Sequence, residues 1–143
     1  MANELTASVA WQHDSAKENI DFTATSGTGH TIYADPNNEI GAKPTELILM
    51  GLGSCASYDV VSILKKSRQV VTSVRCDVKG KRADTIPAVF TDIHLHFVVT
   101  GTDVKETQVA KAIELSATKY CSVSFMLEAG GVNITHDFEI IPE

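Results

Sequence analysis

"LILMGLGSCASYDVV", Leu47 to Val61, decides the fold, because this most apolar run of the chain carries a cysteine, Cys55, in its middle. Pro44 lies just ahead of it. Its fixed backbone angle and missing N–H suit a first helical turn, and the Glu46 carboxylate suits the positive end of the helix dipole. No proline follows before "KKSR", which is favourable chemistry for a helix C-terminus. The pattern predicts one helix from Pro44 to about Ser67, a rod of roughly 35 Å at about 1.5 Å per residue. Its N-terminal half is apolar on every side, so the helix is expected to be enclosed. Ile48, Gly51, Leu52, Tyr58, Asp59 and Ser62 share the face of Cys55. Gly51, Gly53, Ser54 and Ala56 let another backbone approach closely. Glu46 and Asp59 bracket the run, whose unbroken apolar part is shorter than the roughly 20 residues a bilayer requires. A core helix is expected, without a membrane.

Strands are expected on either side. Leu5, Ala7, Val9 and Trp11 alternate with polar residues, and Ile20, Phe22 and Ala24 repeat the pattern, as half-buried strands do. "SGTGHTIYA" supplies a glycine turn and a third strand through Ile32, and "DPNN" opens a loop to Ala42. Strands are also expected over Val70–Lys79, with Val74, Cys76 and Val78 on one face, and over Phe90–Thr100. "GKRADTIPA" connects the two. Val104 to Cys121 reads as a second helix with Val109, Ile113, Ala117 and Cys121 on one face. Ser122 is expected to cap a short third helix, "VSFMLEA", ended by Gly130 and Gly131. Val132, Ile134, Phe138 and Ile140 mark a closing strand.

The order is βββ-α-ββ-α(α)-β, an α+β fold with mainly antiparallel pairing. The 143 residues fit a single domain, 1–143, without repeats or linkers. A helix greasy all round is hard to wrap with six short strands and one other helix. A symmetric dimer burying it against its twin solves that problem. The formal charge of −6 and the lack of any basic run exclude a phosphate-contacting nucleic-acid binder. The N-terminus lacks the cationic and apolar regions of a signal peptide. Three cysteines do not make a secreted disulfide framework, so a cytoplasmic protein with reduced thiols is expected.

On local pattern alone, Cys55 and Cys121 each read as small core hydrophobes or as reactive thiols. Lying 66 positions apart on two apolar faces, they can meet across packed helices. Such a pair has a use: a thiolate attacks a peroxide to give a sulfenic acid, and a second thiol condenses with it. The CxxC spacing is absent, so the pairing has to be tertiary. Cys76, between Val74 and Val78, reads as structural. His94 and His96 share a strand face, and with His136 on the last strand they read as a polar outer face rather than a zinc site, which needs a further placed ligand.

Three stretches carry a resemblance: "KPTELILMGLGSCASYDVVSILKKSRQ", "VKGKRADTIPAVFTDIHLHFVVTG" and "AIELSATKYCSVSFMLE". In that order, from about Lys43 to Val132, the chain resembles the OsmC/Ohr family (osmotically inducible protein C and organic hydroperoxide resistance proteins), most of all its YhfA-like branch. The resemblance implies an intertwined homodimer whose sheets wrap two long central helices. It implies paired thiols that reduce organic hydroperoxides, with Cys55 attacking the peroxide and Cys121 resolving. It also implies an apolar hydroperoxide as substrate, a dithiol as reductant, and no metal or organic cofactor.

The sequence departs from the family's peroxidases at two places. Those carry a glutamate directly after the helix-opening proline, where this chain has Thr45, with Glu46 following. Nine residues before Cys55, Glu46 lies on the opposite side of an ideal helix. They also carry an N-terminal arginine that pairs the glutamate and lowers the thiol pKa, whereas this chain has no arginine before Arg68. An unassisted thiol ionises near pH 8.5, and apolar burial or the Asp59 charge one turn away raises that. Arg82, reaching from the partner chain, is the expected compensating cation, with Lys119 the second candidate. Three functions follow: a thiol peroxidase in oxidative stress defence, a non-catalytic dimer binding an apolar small molecule between its helices, or a reducing, sulfur-handling protein.

Overall fold

The computed structural model describes residues 3–143; Met1 and Ala2, which open the expected 1–143 domain, lie outside the described residues. The chain forms two compact units, one ending at Ile48 and the other running from Leu49 to Glu143.

In the first unit, β1 (Ala7–Ala10), β2 (Phe22–Ser26) and β3 (Thr31–Ala34) make an antiparallel sheet in chain order. Ala24 of β2 stands opposite Val9 and Ile32, as the period-two pattern predicts. Gly29, at φ +93°, turns β2 into β3, a backbone angle that favours glycine. One expectation is corrected. Half-buried strands are predicted, but β1 is exposed along its length, and Leu5, Val9 and Trp11 are exposed with it. Alternation marks which face is apolar; a ribbon of strands this short supplies no layer to cover that face.

The loop after β3 has its own anchor. Asp35 is buried, and its carboxylate accepts the backbone N–H groups of Asn37, Glu39 and Ile40, each at 2.9 Å, and the Asn19 amide at 3.0 Å. Burial alone would push this carboxyl up, but the N–H groups of Ile40 and Asn37, with Asn19 and Glu39, outweigh it and hold it below the usual range. "DPNN" is therefore a turn built around its aspartate.

Helix α1 (Pro44–Lys66) runs from the first unit into the second. Its ends are those the sequence predicts. The Glu46 carboxylate reaches back to the backbone N–H of Lys43 at 2.8 Å, one half of a capping box. At the other end Arg68 adopts φ +61°, Gln69 N–H donates to Leu64 and Arg68 N–H to Lys65, which is a Schellman stop.

In the second unit, β4 (Val70–Arg82), β5 (Phe90–Thr102) and β6 (Asn133–Pro142) form a sheet in that order. β4 continues three residues past its predicted end, taking Gly80, Lys81 and Arg82 out of the connection. β4 and β5 pair antiparallel, but β5 and β6 pair parallel, a departure from the expected antiparallel pairing. Parallel neighbours require a long crossover. It is supplied by α2 (Glu106–Leu115), a π-helical turn (Ser116–Tyr120) and α3 (Ser122–Ala129).

The core joins one stripe of α1 (Leu52, Ala56, Val60, Leu64) to the inner face of β5 (Ile93, Leu95, Phe97, Val99) and to Val109, Ala112 and Ile113 of α2. Gly53 brings α1 close to β4: a Cβ there would stand 2.9 Å from Val78. The expectation that α1 is enclosed all round is not met within one chain. Tyr58 is 74% exposed and Met50 57%, because one sheet and one helix cover only one side. By length and composition α1 is also apolar enough to cross a bilayer. Its stripe packed on β5 is what a core helix shows as well.

Candidate functional site

Among the described residues all three cysteines are free thiols. Cys55 sits half-buried on α1, packed against the core cluster that contains Cys121. Cys121 is 3% exposed in that cluster, and the Cys55 side chain lies near enough to act on its ionisation. The tertiary meeting that the spacing left open is therefore present.

The placement of Cys121 differs from expectation. The predicted single helix to residue 121 stops at Leu115, and a π-helical turn carries the chain to Tyr120. Cys121 itself is extended, at φ −78° and ψ 100°. Its N–H donates to the Ser116 carbonyl at 2.8 Å, the five-residue step of a π-turn. Ser122 is not the cap of α3. Cys121 is, its Sγ accepting the Ser124 N–H at 3.4 Å, because the residue that leaves helical geometry takes the N-cap position.

These surroundings set the thiol's chemistry. Burial pushes the Cys121 thiol up to about 11. The Ser124 N–H opposes this, while the Cys55 side chain and the Asp59 charge add to it. Cys121 therefore holds its proton at neutral pH. Asp59 is half-buried one turn beyond Cys55, and its Oδ2 accepts the Ser116 hydroxyl at 3.0 Å. Cys76 is also pushed up to about 11, first by burial, with the Ser57 hydroxyl opposing and Asp77 adding, an inert thiol on the inner side of β4.

An open cleft of about 270 Å³ lies where the π-turn meets α3, lined by Lys119, Tyr120, Cys121, Phe125 and Met126. Phe125 is 71% exposed, and the Lys119 ammonium stands 5.3 Å from the centre of the Tyr120 ring. On the core side of Cys121 is a second space of about 10 Å³, lined by Ser116, Ser124, Leu95, Phe97 and His136 among others, with room for about one water.

The other predicted site residues lie elsewhere. Within this chain the Arg82 Nε donates to the Ala88 carbonyl at 2.8 Å, holding its own connection, and Glu46 caps α1. Of the two candidate cations, Lys119 borders the cleft that Cys121 lines. The histidines divide differently from the expected polar outer face. His94 and His96 do share that face, donating to Asp137 Oδ1 at 2.8 Å and 2.7 Å. His136 lies on the inner face opposite Leu95, beside the small cavity. No three His, Cys, Asp or Glu side chains among the described residues are arranged to hold a metal ion.

The Asp137 hydrogen bond raises His96 above the ordinary value of about 6.5, with burial opposing and Glu139 helping. Asp137 is held below the usual range by His96 and then His94. The His96 contribution to stability is complete below about pH 6.5 and fades as pH rises through its folded pKa. That of Asp137 is present above about pH 3.8 and fades as pH falls through its own. In an NMR titration the His96 ring should show a midpoint above 6.5 that drops in Asp137→Asn. A midpoint indifferent to that substitution would refute the pairing.

Sequence reasoning missed Ser116, Ser124, Phe125 and Met126. A signal existed for the first: Ser116 continues the Val109, Ala112, Ile113 stripe, and a hydroxyl on an apolar face requires a partner.

A family model described as "OsmC-like protein" matches residues 36–137. Protein YhfA of Escherichia coli K12 is 46% identical over 125 residues, 87% of this chain and 92% of that protein. A structure from structural genomics is 42% identical with a TM-score of 0.85, covering 96% of this chain and 99% of the other. The organic hydroperoxide resistance protein OhrB of Bacillus subtilis shares the fold at 18% identity and a TM-score of 0.59, covering 94% and 98%.

Proposed function

This chain belongs to the OsmC-like protein family, and from that premise we propose that it is a thiol-dependent peroxidase reducing organic hydroperoxides. The observation that carries the reading is the Cys55–Cys121 pair beside an apolar cleft. With Cys121 holding its proton, attack falls to Cys55. The Cys55 thiolate takes the terminal oxygen of ROOH, the O–O bond breaks, and ROH leaves with a proton from solvent. Cys55 is then a sulfenic acid. The Cys121 thiol condenses with it; an S–S bond forms and water leaves. An external dithiol reduces that disulfide by exchange and is itself oxidised to a cyclic disulfide.

Several features support parts of this reading. Phe125 and Met126 suit the hydrocarbon part of a hydroperoxide, and Lys119 is a cation at the mouth of the same cleft. OhrB, which shares the fold, carries hydroperoxide resistance in its name. The chain works, in this reading, as a cytoplasmic homodimer: the open side of α1 and exposed Leu5, Val9 and Trp11 are apolar surface that a second copy would cover.

The test follows consumption of cumene hydroperoxide with excess dithiol. Wild type should turn over, and Cys55→Ser should fall to the uncatalysed rate. Equal rates in the two proteins would defeat the enzyme reading. Tight binding of an unreacted apolar ligand in the cleft would then favour the non-catalytic alternative.

A further inference from the structure

The link between α1 and the π-helical turn does more than fill space. Ser116, the first residue of the π-helical turn, is 1% exposed and continues the apolar stripe of α2, where a hydroxyl needs a partner. Its hydroxyl has one well-placed acceptor, Asp59 Oδ2 at 3.0 Å, with the Ala56 carbonyl at 3.4 Å. Its carbonyl accepts the Cys121 N–H at 2.8 Å. One residue thus ties a carboxylate on α1 to the backbone of Cys121, and that carboxylate lies one helical turn from Cys55. A buried hydroxyl left without its acceptor would be costly, so the turn is held in its five-residue form as long as Asp59 stays in place.

We propose that Asp59 and Ser116 are positioning residues, a clasp that holds Cys121 opposite Cys55 and reserves it as the resolving thiol. This inference rests on the thiol-peroxidase reading and assigns the division of labour within it. Burial already separates the two, since Cys121 is 3% exposed and Cys55 half-buried. The clasp adds position, fixing the Cys121 backbone against the helix that carries Cys55.

The groups facing Cys121 come from several elements. α1 brings Cys55 and Asp59, the π-turn brings Lys119 and Tyr120, and β6 brings His136. α3 brings Glu128 through Ser124, whose hydroxyl donates to it at 3.2 Å. β5 offers only Leu95 and Phe97. Asp59 is the carboxylate among these that is fixed to the Cys121 backbone.

The test needs no peroxide. In a Cys55→Ser, Cys76→Ser background Cys121 is the sole thiol, and its alkylation by iodoacetamide is followed against pH. Adding Asp59→Asn should move the profile to lower pH and raise the rate at pH 8.5, because the Asp59 charge raises the Cys121 thiol. Ser116→Ala keeps the Asp59 charge and should not move the profile downward; its effect is read in the closure rate, where Ser116→Thr, which keeps the hydroxyl, should match wild type. With Cys55 restored, disulfide closure by diamide should slow severalfold in Asp59→Asn and Ser116→Ala. Unchanged profiles and closure rates in folded Asp59→Asn would overturn the clasp; if that protein does not fold, an unchanged closure rate in Ser116→Ala overturns it. If wild type fails to consume hydroperoxide, the function falls, while these measurements still judge the clasp.

Discussion

Replacing Cys121 by serine should leave a protein that reduces its first equivalent of organic hydroperoxide per chain and then, even with dithiol present, turns over far more slowly. The fold should survive, because the substitution suits the position. Cys121 is the N-cap of α3, where a serine oxygen accepts the Ser124 N–H better than sulfur does. The chemistry should not survive, because serine cannot condense with a sulfenic acid. Resolution then depends on dithiol from solution at millimolar concentration, in place of a neighbour whose effective molarity is orders of magnitude higher. Steady-state turnover should fall about 100-fold or more on that ground. Dimedone should trap one sulfenic acid per chain, on Cys55 by peptide mass. Undiminished turnover, or an adduct on Cys76, would sink the resolving role.

The largest expected effect on stability is at Phe97. It is 1% exposed on the middle strand of the second sheet, and its register neighbours are Cys76 on β4 and Phe138 on β6. Phe97→Ala removes a ring from the place where both strand pairings and the α1 stripe converge. The expected cost is about 3–5 kcal/mol, a large part of the 5–15 typical of a domain. With a urea dependence near 2 kcal/mol per molar, the unfolding midpoint should fall by roughly 2 M. A loss below about 1 kcal/mol would mean that the site collapses around the gap and that this row is not the centre of the core.

Much of this architecture is legible in the residues. Pro44 and the Lys65–Lys66 pair bound α1 to within a residue, because a missing N–H and terminal charge act locally. Alternation locates the strands, but it says which side of a strand is apolar and not what lies against it. That is why the exposure of β1 and the parallel partner of β6 are not legible. The π-turn hides for a related reason. Ser116, Ala117, Thr118, Lys119 and Tyr120 all tolerate helix, and no Gly or Pro marks the point where the spacing changes from four to five. The cysteine pair is suggested by two apolar faces and by family resemblance, and its meeting depends on contacts 66 residues apart in sequence. His136 shows the limit from the other side: one position away from Asp137, it faces the opposite way, and parity along β6 was the available signal.

The parallel pairing of β5 with β6 also orders events during synthesis. Both cysteines leave the ribosome before the last strand exists, and that strand is the chain's final ten-residue element. Until Asn133–Pro142 emerges, Ile93, Leu95, Phe97 and Val99 have β4 on one side only, and Ile134, Phe138 and Ile140 are missing from the core. Pairing so distant in sequence comes late and slowly. The nascent chain therefore carries its two thiols through a period without their finished surroundings. A truncation anywhere in those ten residues, though remote in sequence from either cysteine, strips an edge from the sheet beneath both.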